Sequence, residues 1–384
     1  EGCGMKICIV APYANPEKGA AIVRVNSFSD YFASKGNEVS IFSPERGGLK
    51  PQENIVRYPG ISGLLRLLWK ADFDVLIGTS PPVSHAFFAM LMCKLKGKKF
   101  ILDSKDIFTQ TAAKLGVMEK ESAKFRIYAL MEMLVHKNSG KILVLDSTIG
   151  KWLEKKYSLP ESRILVAPNG VDTKVVRADP AEGRKIRKKL GIRINCRVLI
   201  YLGGLGDEPC TDFLRETAPV IKKTSAVMLF VIASDETAIA LKRIAEIESA
   251  VKQLGLEGNF RLVKNIPHKD VYRYISAADM GIDFWGDGLE LLAVPVKILE
   301  YMACGLPVAV KTPANNESFR KFFSENDVGF QSSRWKGLAE NLEKILENFS
   351  QFRLKGEKNA GIIKAKYTRD ACNAEVLRVL KDFR

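Results

Sequence analysis

Histidine is scarce in this sequence: His85, His136 and His268 are the only three among 384 residues. A histidine-rich metal centre is therefore not expected, nor is chemistry built on several His–carboxylate pairs. Seven cysteines are scattered at Cys3, Cys8, Cys93, Cys196, Cys210, Cys304 and Cys372 without a Cys-x-x-Cys pair. That spacing argues against a structural zinc or a disulfide framework and for a reducing cytosol. No apolar run reaches the roughly 18 residues a membrane-spanning helix needs, and the run at 7–11 is too short for a secretory segment. Zinc-finger, RNP-like and basic-zipper patterns are missing, so nucleic acid is not an expected partner. The loop after the first apolar run lacks Gly-x-Gly-x-x-Gly, which speaks against a tightly held dinucleotide.

What the sequence does have is length, positive charge and alternation. With 384 residues, 46% hydrophobic and 27% charged, it exceeds the usual single-core size and predicts two globular domains. Short apolar runs alternate with amphipathic stretches, the pattern of parallel sheets covered by helices on both faces. Strands are expected near 6–11, 38–43, 75–78, 99–103, 141–145 and 163–166, then near 197–202, 227–232, 260–262, 280–283 and 308–310. Turn signals at Asn169-Gly170 and Asp179-Pro180, with the charged stretch 177–195, mark a seam. The expected domains are 5–175 and 194–350, with 366–384 as a terminal helix.

The formal net charge of +15 suits anionic partners. In Ile61-Ser-Gly-Leu-Leu-Arg-Leu-Leu-Trp-Lys-Ala71, Arg66 and Lys70 lie four apart beside Trp69, and Lys94, Lys96, Lys98 and Lys99 follow an apolar helix. Segments of this kind lie in anionic lipid headgroups. A core-packing helix with a solvated basic end has the same pattern.

The most informative stretch is Pro295-Val-Lys-Ile-Leu-Glu-Tyr-Met-Ala-Cys-Gly-Leu-Pro-Val-Ala309. Lys297 and Glu300 share one face at the start of a short helix, while Ile298, Leu299, Tyr301 and Met302 bury most of the rest. Gly305 ends the helix, Pro307 prevents its return, and 308–310 reads as a buried strand. A cation and a carboxylate at a helix N-terminal end beside a parallel sheet suit a phosphate and a sugar hydroxyl. An arbitrary Lys-x-x-Glu is more often a surface ion pair.

This stretch resembles the nucleotide-sugar site of the family 4 glycosyltransferases. Ala167-Pro-Asn-Gly-Val-Asp172 also resembles that family, as do Gly78-Thr-Ser-Pro-Pro-Val-Ser84 and Ile101-Leu-Asp-Ser-Lys-Asp-Ile-Phe108, the latter two being similar to members that assemble lipid-linked oligosaccharides. The resemblance implies the GT-B fold: α/β, with two Rossmann-like domains facing a deep interdomain cleft and a C-terminal helix crossing back to the first domain. It places the donor on the second domain and the acceptor on the first, with closure excluding water.

On the donor side the resemblance implies that Lys297 and the backbone of Gly203, Gly204 and Gly206 meet the diphosphate. Glu300 would meet the ribose, and main-chain groups around Asn265 and Ile266 the base. Leu292 stands where the family carries a further glutamate, and nearby Glu290 is the carboxylate able to substitute. The family's Arg and Lys in the glycine loop are absent, with Gly204 at the first position and Pro209 or Cys210 near the second. On the acceptor side Gly19 permits close backbone approach at a helix N-terminus. Arg24 is the candidate acceptor or phosphate contact, and Ser80 lines the same strand ends. Asp106 would position or deprotonate the acceptor hydroxyl, with helix N-capping as the structural alternative for Asp103 and Asp106. His268 reads as a helix-start residue and not as a catalyst.

The expected activity is retaining transfer of a hexose or N-acetylhexosamine from a nucleoside-diphosphate sugar, UDP above all, to a glycan or lipid-linked acceptor. Asp106, Lys297 and Glu290 are the catalytic candidates. No cofactor or metal is expected, and the expected place is the cytoplasm, at the inner face of the membrane. The rivals are a nucleotide-sugar epimerase or hydrolase of the same fold, and a non-catalytic nucleotide-sugar-binding subunit.

Overall fold

The computed structural model describes residues 4–15, 19–46, 53–114, 116–120, 122–205, 208–232 and 237–383. The chain divides into two units, residues 1–169 with 369–384, and residues 170–368.

In the first unit β1 (Lys6–Val10), β2 (Glu38–Pro44), β3 (Ile55–Tyr58), β4 (Val75–Ser80), β5 (Lys99–Ser104), β6 (Lys141–Val144) and β7 (Ile164–Val166) form one parallel sheet in the order β3-β2-β1-β4-β5-β6-β7. β4 is buried along its whole length and β5 beyond Lys99, so both read as continuous apolar runs and not as alternation. Ile7, Ile9, Ile77, Ile101 and Leu143 join Val25, Phe28 and Phe32 of the helix Ala20–Ser34 in one core. The helix Arg369–Asp382 completes that core with Val376, Leu377 and Leu380. Asn373 Nδ2 donates to Ser27 O at 3.0 Å, so the last helix belongs to the first unit.

In the second unit β8 (Val198–Gly203), β9 (Val227–Ile232), β10 (Phe260–Lys264), β11 (Met280–Phe284), β12 (Val308–Lys311) and β13 (Gly329–Ser332) form a parallel sheet in the order β10-β9-β8-β11-β12-β13. Its two faces carry separate apolar cores. The helix Val296–Ala303 is stopped as the sequence predicts: Gly305 takes φ +75°, its N–H bonding Met302 O at 2.9 Å while Leu306 N–H bonds Tyr301 O at 3.0 Å.

Four elements were not expected. β3 and β13 are four-residue edge strands without clean alternation, too short to carry a period-two signal. The helices Phe108–Lys114 and Phe349–Lys366 are likewise not predicted by the sequence pattern; the second is only weakly amphipathic, so no apolar stripe announces it. The seam also moves. Residues 170–175 belong to the second unit, because Val171 and Val176 are buried in its core and Val171 N–H bonds Tyr367 O at 2.8 Å. Gly170 takes φ +64° at that turn. Among the described residues no helix is long and apolar enough to cross a membrane.

Candidate active site

Both sheets reverse their direction of growth beside the first strand, between β1 and β4 and between β8 and β11. Connections leave such neighbours on opposite sides, which opens a crevice at their carboxyl ends where ligands of parallel sheets gather.

In the second unit Tyr301 fixes the helix Val296–Ala303 over this crevice. Its Oη accepts from Leu202 N–H of β8 at 2.7 Å and donates to Ile282 O of β11 at 3.4 Å. One turn earlier, Lys297 is thereby held beside the ends of both strands. Its Nζ lies 3.0 Å from Asp283 Oδ1 and 3.7 Å from Glu208 Oε1. It also stands 4.6 Å from the ring centre of Tyr201 and 5.1 Å from that of Trp285, within cation–π range of both. Asp283 is fully buried and accepts from Trp285 Nε1 at 2.8 Å and Phe284 N at 3.0 Å. Burial pushes the Asp283 carboxyl up against the pull of Lys297. For Lys297 burial works downward, and Asp283 and Glu208 together hold the ammonium above the usual lysine range. The lysine is a charged group in a largely buried setting.

Gly203 ends β8, and a Cβ there would lie 2.3 Å from Tyr201 Oη, so a side chain does not fit. Gly204 is exposed with open space around it; Gly206 falls outside the described residues. At the end of β10, Asn265 takes φ +60° and its N–H bonds Ile232 O at 3.0 Å, while Ile266 packs on the core. His268 follows, and its Nε2 lies 2.6 Å from Glu300 Oε1. The two candidates of the opening motif thus face different partners, Lys297 the acidic pair and Glu300 the imidazole. Glu290 is exposed on the connection after β11. Leu292 packs against the core, and Asn316 Nδ2 pins the segment by donating to Leu289 O and Leu292 O, both at 2.9 Å.

In the first unit Gly19 takes φ +138° and starts the helix Ala20–Ser34, its carbonyl accepting from Ile22 and Val23, each at 3.1 Å. Arg24 differs from expectation. It is buried and forks onto Asp103, Nη2 to Oδ1 at 2.9 Å and Nε to both oxygens at 3.1 Å, and its Nη1 reaches Pro168 O at 3.2 Å. The guanidinium ties β5 to the end of the unit instead of standing open to an acceptor, and Asp103 is its counter-ion instead of a helix cap. Ser80 is buried at the end of β4. Asp106 is half-buried and accepts from Thr111 Oγ1 at 2.8 Å and Ile107 N at 2.7 Å. Burial raises its carboxyl above the ordinary range despite those bonds. Behind it lie two further buried groups, Glu132 and His136. Glu132 takes the hydroxyl of Thr109 and is pushed up to about 7 by burial. His136 Nδ1 donates to Glu132 O at 2.6 Å and Nε2 accepts from Ser104 Oγ at 3.0 Å, and burial lowers it to about 4.

Sequence reasoning missed Asp283, Glu208 and the pairing of His268. A lone aspartate inside the apolar run 280–284 is the one signal that was available, since a buried charge demands a partner.

The sequence profile described as Glycosyltransferase Family 4 matches residues 21–175, and that described as Glycosyl transferases group 1 matches residues 196–348. A probable glycosyltransferase of Pseudomonas aeruginosa, WbjE, is 21% identical over 261 residues, 67% of this chain and 61% of that protein. The chain thus spans about three fifths of that relative's length. Among solved structures, sucrose-phosphate synthase from Thermosynechococcus elongatus superposes with a TM-score of 0.76 at 14% identity, covering 98% of each chain. The Anabaena HepE protein in complex with UDP gives 0.76 at 12% identity, covering 98% of this chain and 100% of that one. These likenesses place the fold among two-domain GT-B structures. The chain thus carries, in order, one domain matched by the Glycosyltransferase Family 4 profile and one matched by the Glycosyl transferases group 1 profile.

Proposed function

We propose that this chain is a retaining transferase that moves a hexose or N-acetylhexosamine from a UDP-sugar to a glycan or lipid-linked acceptor. The observation that carries the reading is the placement of Lys297. An ammonium stands at the first turn of a helix, beside the side-chain-free end of β8 at Gly203, in the switch-point crevice of the second sheet. A diphosphate gains there a charge-assisted bond, main-chain amides and the positive helix end. Solved structures of the same fold carry UDP, or UDP with glucose, which favours uridine as the base.

In the transfer the bond between the anomeric carbon and the diphosphate oxygen breaks, UDP leaves with the electron pair, and the acceptor hydroxyl supplies the new bond and loses its proton. Lys297 stabilises the charge that grows on the leaving diphosphate, so the protein supplies the cation and a divalent ion is not required. Glu300 receives the ribose hydroxyls, the main chain at Asn265 and Ile266 the base, and Glu290 reaches the sugar from its loop. On the first unit Asp106, with its raised carboxyl, is suited to position or accept the proton of the acceptor hydroxyl, beside Ser80 and the Gly19 turn.

The lipid-linked acceptor is favoured by one corner of the first unit. Lys96 Nζ donates to the carbonyls of Leu68 and Trp69, at 2.9 and 3.0 Å, joining the ends of the helices Gly60–Lys70 and Val83–Leu95. Trp69 is 63% and Leu95 74% exposed, and their sequence neighbours Lys70 and Lys94 are exposed as well. Apolar tips among ammonium groups suit an anionic bilayer at the cytoplasmic face.

The test incubates the protein with UDP-sugars, with and without a membrane lipid extract, and follows UDP release. Release that depends on the extract supports transfer. Release without it supports a hydrolase, and tight UDP binding without release supports a non-catalytic subunit.

A further inference from the structure

Two carboxylates face the ammonium of Lys297, and they are held very differently. Asp283 sits on β11, fully buried, with Trp285 Nε1, Phe284 N and Lys297 all bonded to it. Glu208 lies on the loop after β8. Its side chain is 10% exposed, its Oε1 stands 3.7 Å from Lys297, and its Oε2 has no hydrogen-bond partner among the described residues. The first carboxylate is part of the framework. The second is largely buried, with one oxygen at an ion-pair distance beyond hydrogen bonding and the other unpartnered among the described residues, an arrangement that costs desolvation with little return.

The charge count points the same way. Among the described residues, the ammonium of Lys297 is ion-paired with two carboxylates at the place where a diphosphate is to bind. The glycine loop contributes no compensating cation at Gly204, Pro209 or Cys210. A phosphate meets least repulsion at Lys297 if one carboxylate withdraws, and of the two Glu208 has no hydrogen bond among the described residues to hold its side chain in the cluster.

We infer that Glu208 is a resident counter-ion: its carboxylate occupies on Lys297 the place the donor's phosphate takes, and it leaves when the nucleotide binds. Glu208 therefore sets donor affinity as a competitor and not as a ligand. This inference rests on the proposed donor site.

Isothermal titration with UDP and with uridine tests it, on the wild type and on Glu208→Gln and Glu208→Ala, each first shown to melt as a folded protein. Both substitutions should tighten UDP by about fivefold or more at low salt, the gain shrinking as salt rises. Uridine, which brings no phosphate, should bind all variants alike. With Lys297→Gln in the background the gain should vanish. UDP binding that Lys297→Gln weakens but the Glu208 variants leave unchanged or weaker overturns the inference alone. An equal gain for uridine, or a gain that persists without Lys297, also overturns it. UDP binding by neither the wild type nor the Glu208 variants overturns the donor site and the inference together.

Discussion

His268 Nε2 and Glu300 Oε1 lie 2.6 Å apart, joining the start of the short helical turn after β10 to the helix Val296–Ala303. The carboxylate is nearly buried and the imidazole partly exposed, so the ring both orients Glu300 and covers one of its oxygens. Glu300→Ala should weaken UDP by roughly tenfold or more, the loss of a charge-assisted hydrogen bond. His268→Ala should raise the donor KM by a smaller factor with kcat little changed, and His268→Gln should restore most of it. Equal UDP affinity in Glu300→Ala and the wild type would remove Glu300 from the site.

Lys297→Ala should weaken UDP by roughly 30-fold or more. It should also lower the melting temperature, because Asp283 and Glu208 are left without their cation. On the proposed mechanism, in which Lys297 meets the charge of the leaving group, transfer should be unaffected by EDTA. Activity lost to EDTA and restored by a divalent ion would contradict this.

Arg24 and Asp103 form a buried pair with both side chains almost inaccessible. Arg24→Met leaves the aspartate uncompensated and should cost about 3–5 kcal/mol in urea denaturation. Arg24→Met with Asp103→Leu should recover most of the loss, as replacing a whole buried pair usually does. A raised acceptor KM in Arg24→Met without a stability loss would instead return Arg24 to the acceptor-contact role the sequence suggested.

Glu132 and His136 give stability opposite slopes with pH. Burial raises Glu132 from 4.5 to about 7. The folded state then holds a proton the unfolded chain has lost, and this contribution, fully present below about 4.5, fades as pH rises through 7. Burial lowers His136 from 6.5 to about 4, so its contribution is present above about 6.5 and is lost as pH falls through 4. Glu132→Gln should therefore gain on the wild type as pH goes from 5 to 8, by an amount on the order of 2–3 kcal/mol. Thermal melts at fixed ionic strength read the difference; a constant offset would refute the assignment.

The sheets were legible because buried parallel strands are plain apolar runs, as in 75–78 and 227–232. β3 and β13 were not, since edge strands of four residues carry too few positions for a pattern. In the candidate site, Lys297 and Glu300 stand out from the sequence because they share a motif with a helix stop behind it. The partners of these two residues were hidden, as pairing across 32 residues to His268 or 14 to Asp283 is decided by the fold. Arg24 suggests an acceptor or phosphate contact in the sequence because an early helical arginine beside a glycine turn gives no hint of Asp103, 79 residues away.

The second unit is inserted into the first, which is left at Asn169 and resumed at Arg369. During synthesis the second unit has all its residues once Thr368 is out of the ribosome, while the first still lacks Val376, Leu377 and Leu380 of its core. The part of the chain made first is therefore the part finished last, against the usual order for domains in tandem. A nascent chain halted at residue 368 would show native protease resistance in the second unit alone.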